Sequence, residues 1–330
     1  MFFPDDDIFA TKKNTIMVKM SVNEYTILRR KHGNKYIFLQ DGKRIKEPGT
    51  LQHLQSLYVP PAYHNVLFHV DRRADCYAIA ENSKGKRQYF YTNTWRQKST
   101  DAKIKSMKQF AQQIKKICRQ LRIMSTSSIL RDQMIALALF LIMEGNFRVG
   151  SEKGLSQYGS YGVVTLRKEH IVPNAKGIEI RFIGKKGVCN HSTIRSKTTT
   201  QLLLSVMETN ENQFLFHYKN GNQKLKLQAE EINYFLKQYG DFSTKTFRTW
   251  FANQAFLQHM KNLKNKNLAF QKKLKCALAS TAEQFHHTPA ICKKSYILPG
   301  LEKFIENETW GKPCFVLFCE FLDQYKKDCT

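Results

Sequence analysis

Two arginines, a lysine, a histidine and a tyrosine sit at the ends of predicted elements in this sequence, not on their core faces. Arg148 follows an apolar helix in Phe147-Arg148-Val149-Gly150, and Lys185 tops a predicted β-hairpin in Phe182-Ile183-Gly184-Lys185-Lys186-Gly187. Arg248 belongs to Lys245-Thr246-Phe247-Arg248-Thr249-Trp250, inside an aromatic-rich helical stretch. His287 precedes Thr288-Pro289, an N-cap and first-turn proline that open a short helix, and Tyr296 falls near the end of that helix. Singly, each has an ordinary explanation: a surface ion pair, a solvated hairpin tip, a half-buried aromatic. Together they make a cationic cradle plus a nucleophile, with no carboxylate required.

That set suits transesterification at a phosphodiester. Two guanidiniums clamp non-bridging oxygens and stabilise a pentacoordinate transition state. An imidazole N–H donates to the same oxygens, a lysine protonates the departing oxygen, and the phenol becomes the covalent carrier. No general base for the phenol stands out.

The elements that must position these groups divide into two parts. Tyr25–Lys46 alternates as strands, with Asp41-Gly42 a hairpin dipeptide. A short helix at Leu51, Leu54 and Leu57 ends at Pro60-Pro61, and strand-like runs follow at 65–70, 76–80 and 83–91. This predicts a leader over 1–25 and a small β-rich domain over 26–98. The rest, 99–330, is mainly helical. Asp101–Arg122 is a lysine-rich helix whose near-lack of acids suggests a phosphate-facing surface, and Ile129–Glu144 is apolar nearly all round, hence a central core helix. Gly162–Leu166, Gly177–Ile183 and Val188–Ile194 read as three strands, and the pattern after Ser196 is helical, including a stretch from Lys261 to Lys275 with six lysines and no acid. The fold class is α+β, a small β-rich N-terminal domain and a larger helical domain carrying a small three-stranded sheet.

Composition agrees with a polyanionic partner. The 330 residues carry 53 Lys+Arg against 27 Asp+Glu, a formal charge of +26, while 42% hydrophobic and 12% aromatic residues exclude wholesale disorder. The longest apolar run, Met134–Met143, is well short of the ~20 residues that span a bilayer. Eight cysteines without a CxxC pair point to reduced thiols and away from a structural zinc site.

These segments resemble the type IB DNA topoisomerases, the compact viral and bacterial branch, with poxviral enzymes nearest in pattern. The carrying motifs are Phe147–Gly150, the Lys185 hairpin, Lys245–Thr249 and His287-Thr288-Pro289-Ala290-Ile291-Cys292-Lys293-Lys294-Ser295-Tyr296. Val59-Pro60-Pro61-Ala62-Tyr63 and Ser83–Tyr91 match in the N-terminal part, and the likeness runs in order from about residue 40 to 300. The resemblance implies Tyr296 as the nucleophile forming a 3′-phosphotyrosyl link. Arg148, Arg248 and His287 would stabilise the transition state, and Lys185 would be the general acid, with Lys186 its rival by one register slip. It implies DNA contacts by Lys86, Tyr89, Tyr91 and Lys245. Lys86 stands where poxviral relatives carry Arg, and Gly154 stands in place of an aromatic, so a CCCTT-type cleavage preference rests on fewer matching residues. The resemblance further implies double-stranded DNA as partner, a monomer acting as a clamp, no nucleotide, cofactor or metal, no membrane, and an intracellular setting such as a virion or a cytoplasmic viral replication site.

A tyrosine recombinase shares the fold and most of the catalytic set. Its second arginine usually follows a histidine by three positions, where this chain has Lys245, and its N-terminal domain is usually helical. Both features favour the topoisomerase. A non-catalytic basic DNA-binding protein satisfies the composition alone.

Overall fold

Asp41 and Gly42 both take positive φ, 51° and 76°, the type I′ geometry that joins twisted antiparallel strands. The computed structural model describes residues 22–209, 212–220 and 223–325, so the leader expected over 1–25 lies outside the described residues as far as residue 21. Tyr25 is core, 4% exposed, its hydroxyl donating to the Cys76 carbonyl at 3.0 Å. The chain divides into two compact units that part between Lys103 and Ile104.

The first unit is built on β1 (Ile27–His32), β2 (Lys35–Gln40), β3 (Lys43–Arg44), α1 (Pro48–Ser56), β4 (His64–Phe68), β5 (Cys76–Glu81) and β6 (Arg87–Tyr91). The six strands form one antiparallel sheet in the order β3-β2-β1-β4-β5-β6, which leaves β6 on an edge. One face packs Ile27, Phe38, Val66, Phe68, Ala78 and Ala80 against Leu54 of α1. Glu47 caps α1 by accepting from the Gly49 and Thr50 N–H groups, and Pro48 occupies the first turn.

Next comes α2 (Asn93–Met124), which starts well before the Asp101 expected from its pattern. The polar stretch 94–99, at the expected end of the β-rich domain, is part of this helix. Thr92 Oγ1 accepts the Trp95 N–H at 3.2 Å, and Trp95 stacks on Tyr91 at 3.9 Å, so this end is tied down by contacts that polarity does not reveal.

The second unit centres on α3 (Leu130–Glu144), whose residues Met134 to Ile142 are all buried, as a helix apolar all round requires. Around it lie α4 (Glu152–Tyr158), β7 (Ile171–Asn174), β8 (Gly177–Ile183), β9 (Cys189–Ile194), α5 (Lys197–Thr209), β10 (His217–Asn220), β11 (Gln223–Lys226) and α6 (Ala229–Lys237). The chain then continues through α7 (Thr244–Asn262), α8 (Phe270–Gln284), α9 (Pro289–Ser295), α10 (Leu301–Phe304) and α11 (Cys314–Gln324). The small sheet is three-stranded, β7-β8-β9, but its first strand is not Gly162–Leu166. That segment holds a single 3₁₀ turn, because its backbone is bound elsewhere. Val163 and Val164 donate to the Arg148 and Val149 carbonyls, both at 2.9 Å. The β10–β11 hairpin also departs from the helical pattern expected after Ser196.

The α2 lysines are partly engaged by the protein itself. Lys108 Nζ reaches the Asp323 carbonyl at 3.5 Å, Lys115 lies 5.6 Å from the Phe315 ring centre, and Lys116 lies 5.8 Å from that of Tyr239. Lys108 is half-buried against α11, while Lys115 and Lys116 stay exposed. The seven described cysteines are free thiols.

Candidate active site

Arg148 is placed by glycines. Gly145 ends α3, and a Cβ there would meet the Phe147 ring at 2.3 Å, so only glycine lets Phe147 fold back into the core. Gly150 (φ 81°) lies against Gly162 so closely that a Cβ on Gly162 would stand 2.4 Å from the Gly150 Cα. This backbone-on-backbone contact, with the two Val–carbonyl bonds above, fixes the Arg148 loop.

Arg248 is placed by α7, with Ser243 as its N-cap. Phe247, Thr249 and Trp250 beside it are buried, and Arg248 itself is only 4% exposed. Its Nη2 donates to the Phe285 carbonyl at 3.0 Å. Burial pushes its guanidinium down to about 10, helped by the nearby Arg148 and opposed by the Tyr296 phenol, so it stays cationic at neutral pH.

His287 and Tyr296 come from the ends of one short helix. Thr288 caps α9 by accepting from the Ile291 N–H at 3.4 Å, Pro289 follows, and Tyr296 is the C-cap, its N–H donating to the Cys292 carbonyl. The Tyr296 ring stacks on His287 with centroids 4.6 Å apart and planes 21° from parallel, and the Arg248 guanidinium carbon lies 5.3 Å from the Tyr296 ring centre. Tyr296 is 8% exposed.

His287 is the hub. Arg148 Nη2 lies 2.9 Å from its Nδ1, and Arg248 Nη2 lies 3.4 Å from its Nε2. Burial, then Arg248 and Arg148, push the imidazole down to about 3, so it is neutral in neutral solution. A neutral imidazole has one acceptor nitrogen. With the proton on Nε2 the ring accepts from Arg148; with the proton on Nδ1 it donates to the His286 carbonyl 3.0 Å away and accepts from Arg248. Two cations therefore compete for one lone pair. Arg148 Nη1 and Arg248 Nε are also buried without a hydrogen-bond partner, and neither guanidinium has an ion pair among the described residues. Buried cationic N–H groups left unpaired are costly, and an anion with several acceptor oxygens satisfies them.

Against known proteins, residues 92–307 match the family described as eukaryotic DNA topoisomerase I, catalytic core. That span contains all five residues singled out from the sequence. The chain belongs to the DNA topoisomerase IB family. It is 29% identical to the DNA topoisomerase 1B of Acanthamoeba polyphaga mimivirus over 92% of this chain and 96% of that protein. It is 28% identical to the DNA topoisomerase 1B of vaccinia virus (strain Copenhagen) over 76% of this chain and 81% of that one. Likeness to the DNA topoisomerase 1 of Mycosarcoma maydis is 25% over 53% of this chain and 19% of that protein. As a member of this family the chain is a DNA-binding isomerase.

Of the set expected in this topoisomerase, Arg148, Arg248, His287 and Tyr296 come together; Lys185 is exposed on a turn. That turn, 184–188, closes with the Gly184 N–H on the Val188 carbonyl at 2.8 Å, and Lys186 at its tip takes φ 66°. Its base is anchored beside Arg148: Phe182 packs on Phe147 at 5.0 Å, and the Tyr161 N–H donates to the Ile183 carbonyl at 2.9 Å. Lys245 is exposed and lies three residues before Arg248 on α7, the spacing that shares a helix face. Residues 151–158 hold α4, with Ser151 as N-cap and Glu152 paired to Lys226 at 3.3 Å.

In the first unit, Phe90 of β6 turns into the core against Tyr63, while Tyr89 on the other face is 47% exposed. Tyr91 shares that face, half-buried with one side of its ring stacked on Trp95. Lys86 is exposed in a turn organised by Asn82, whose Oδ1 accepts from the Lys84 and Lys86 N–H groups at 2.9 and 3.0 Å.

Asn253 escapes the sequence reading. Fully buried on α7, its Nδ2 donates to the Tyr296 carbonyl at 2.9 Å and the Thr249 carbonyl at 2.7 Å, and its Oδ1 accepts the Leu298 N–H at 3.0 Å. It brackets the Tyr296 backbone. The signal in the sequence is an asparagine five residues after Arg248 in an aromatic-rich helix.

No helix among the described residues is long and apolar enough to cross a membrane.

Proposed function

We propose that the chain relaxes supercoiled duplex DNA by cutting one strand through Tyr296, letting it rotate, and resealing it. The Tyr296 oxygen attacks the scissile phosphorus and the P–O5′ bond breaks. The 3′ end is then carried on the phenol and the 5′ end leaves as a hydroxyl. The phenol proton goes to solvent, and Lys185 delivers a proton to the leaving O5′. Religation is the same path in reverse. One phosphoester is exchanged for another, so the cycle needs no ATP, and the charge it develops falls on guanidinium and imidazole groups, so it needs no metal ion.

The observation that carries this reading is the competition of Arg148 and Arg248 for one acceptor on His287, beside a stacked phenol. A phosphodiester entering the site supplies acceptor oxygens to both guanidiniums and frees the neutral imidazole to donate. The protein binds charge first and strengthens that binding as the transition state adds negative charge. Lys86, Tyr89, Tyr91 and Lys245 are the DNA contacts that accompany it, and binding should weaken steeply with salt.

Plasmid relaxation is the test. The wild-type chain should relax supercoiled DNA in EDTA without nucleotide, and Tyr296→Phe should lose relaxation while keeping duplex affinity. Relaxation by Tyr296→Phe, or strict dependence of cleavage on magnesium, would contradict the proposal.

A further inference from the structure

His286 has a side chain that the reaction above does not use, in a backbone conformation that disfavours one. Its φ is 57°, in the left-handed region, yet it carries a full imidazole that is only 9% exposed. The ring stacks on Phe147 with centroids 5.5 Å apart and planes 15° from parallel. Its Nε2 lies 3.2 Å from the Gly145 carbonyl, an acceptor, so Nε2 carries the proton and donates. Phe147 in turn packs on Phe182. The stack His286–Phe147–Phe182 joins three segments that are distant in sequence, and each of its members stands next to or three residues before a proposed site residue: His287, Arg148 and Lys185.

We propose that His286 is a positioning residue, its imidazole pinning the α8–α9 corner to the end of α3 so that Arg148 meets His287 and the Lys185 hairpin is rooted beside them. The role in cleavage rests on the function proposed above; the role in geometry does not. Burial keeps His286 neutral, down at about 4, with Arg248, Arg148 and His191 as the cations and titratable groups that face it. The clamp is therefore set throughout the neutral range. The left-handed backbone makes the side chain's removal a clean test, since His286→Gly relieves φ while deleting the stack and the hydrogen bond.

Two measurements on the full-length chain decide it. In single-turnover cleavage of a saturating duplex, His286→Gly should slow covalent adduct formation by about tenfold or more, with duplex affinity within about twofold. The same change in an Arg148→Ala background should cost clearly less than in the parent, because the Arg148–His287 contact it serves is already gone. Independently of cleavage, the His287 ring should be followed by NMR titration. Its midpoint, held well below ~6.5 by burial and then by Arg248 and Arg148, should move up in His286→Gly as the α8–α9 corner opens and the Arg148 loop relaxes. His286→Asn, which also tolerates positive φ, is the second variant and should show both effects in the same direction. An unchanged His287 midpoint overturns the proposal whether or not the chain cleaves DNA. An equal rate loss with and without Arg148 overturns the catalytic part. Absence of any adduct in the parent chain instead overturns the proposed function and leaves the titration to decide His286.

Discussion

The arginine–histidine cluster and the Lys185 turn belong to the same proposed reaction but are built in opposite ways. Arg248 is buried on a core helix, Arg148 is fixed by two glycine contacts, and His287 sits between them. Lys185 is exposed on a turn whose base is anchored beside Phe147. Groups that stabilise developing charge gain from being fixed before the substrate arrives, since reorganising them would cost free energy during the reaction. A proton donor to a departing strand must reach an atom brought in by the DNA, and a surface turn can follow it. In the cluster, rigidity costs stability; in the turn, exposure costs nothing until DNA is bound.

That contrast can be broken most sharply at the turn. Lys185→Ala should slow cleavage by ~10²–10⁴ with no change in melting temperature, since an exposed lysine carries little of the fold. Sulfur in place of the leaving O5′ should restore most of the rate, because a thiolate departs without a proton. Parallel tests of Lys186→Ala separate the two lysines, as only the proton donor's variant is rescued.

At the cluster the signs should separate. Arg248→Met should cut cleavage by about 10²–10³, the usual cost of losing one preorganised donor. Its melting temperature should stay level or rise, because an apolar side chain of similar volume in place of a buried charge is often neutral or stabilising. A large loss of stability would show Arg248 to be a structural residue first.

Asn253→Ala should combine the two effects. Its three hydrogen bonds to Thr249, Tyr296 and Leu298 disappear in the core, at about 1–3 kcal/mol for groups left unsatisfied, read by denaturant melts. Cleavage should fall as the Tyr296 backbone loosens. Tyr89→Ala should have a smaller effect, on duplex affinity alone.

The pH response should be smallest, and it follows from the histidines. His287 and His286 lie well below their unfolded value of ~6.5, down at about 3 and about 4. Between those limits the unfolded chain binds more protons, so the stability that these groups contribute is whole above ~6.5 and is lost as pH falls towards the folded values. Thermal melts should show that acid slope, and His287→Gln should flatten it. Cleavage rates should carry no inflection from His287 between about pH 5 and 8, because the ring is already neutral there.

Local signals made much of this molecule readable from its residues. The Asp41-Gly42 turn, the all-apolar α3 and the Thr288-Pro289 start of α9 are decided by neighbouring residues, and the structure has each of them. What the residues hide is long-range. Val163 and Val164 look like a strand, yet their N–H groups go to the Arg148 loop through a glycine–glycine contact that no local pattern announces. Likewise, the start of α2 depends on Trp95 finding Tyr91. The site residues are legible by type, while their central physical feature is not: only coordinates reveal two guanidiniums sharing one imidazole lone pair, or Asn253 holding Tyr296.

The most direct measurement is peptide mapping of the protein–DNA adduct trapped on a defined duplex. Phosphate should be found joined to the Tyr296 oxygen, with the DNA attached through its 3′ end and the partner fragment bearing a free 5′-hydroxyl. An adduct on another residue, a 5′ linkage, or no adduct with a duplex that is cut would contradict the proposed function.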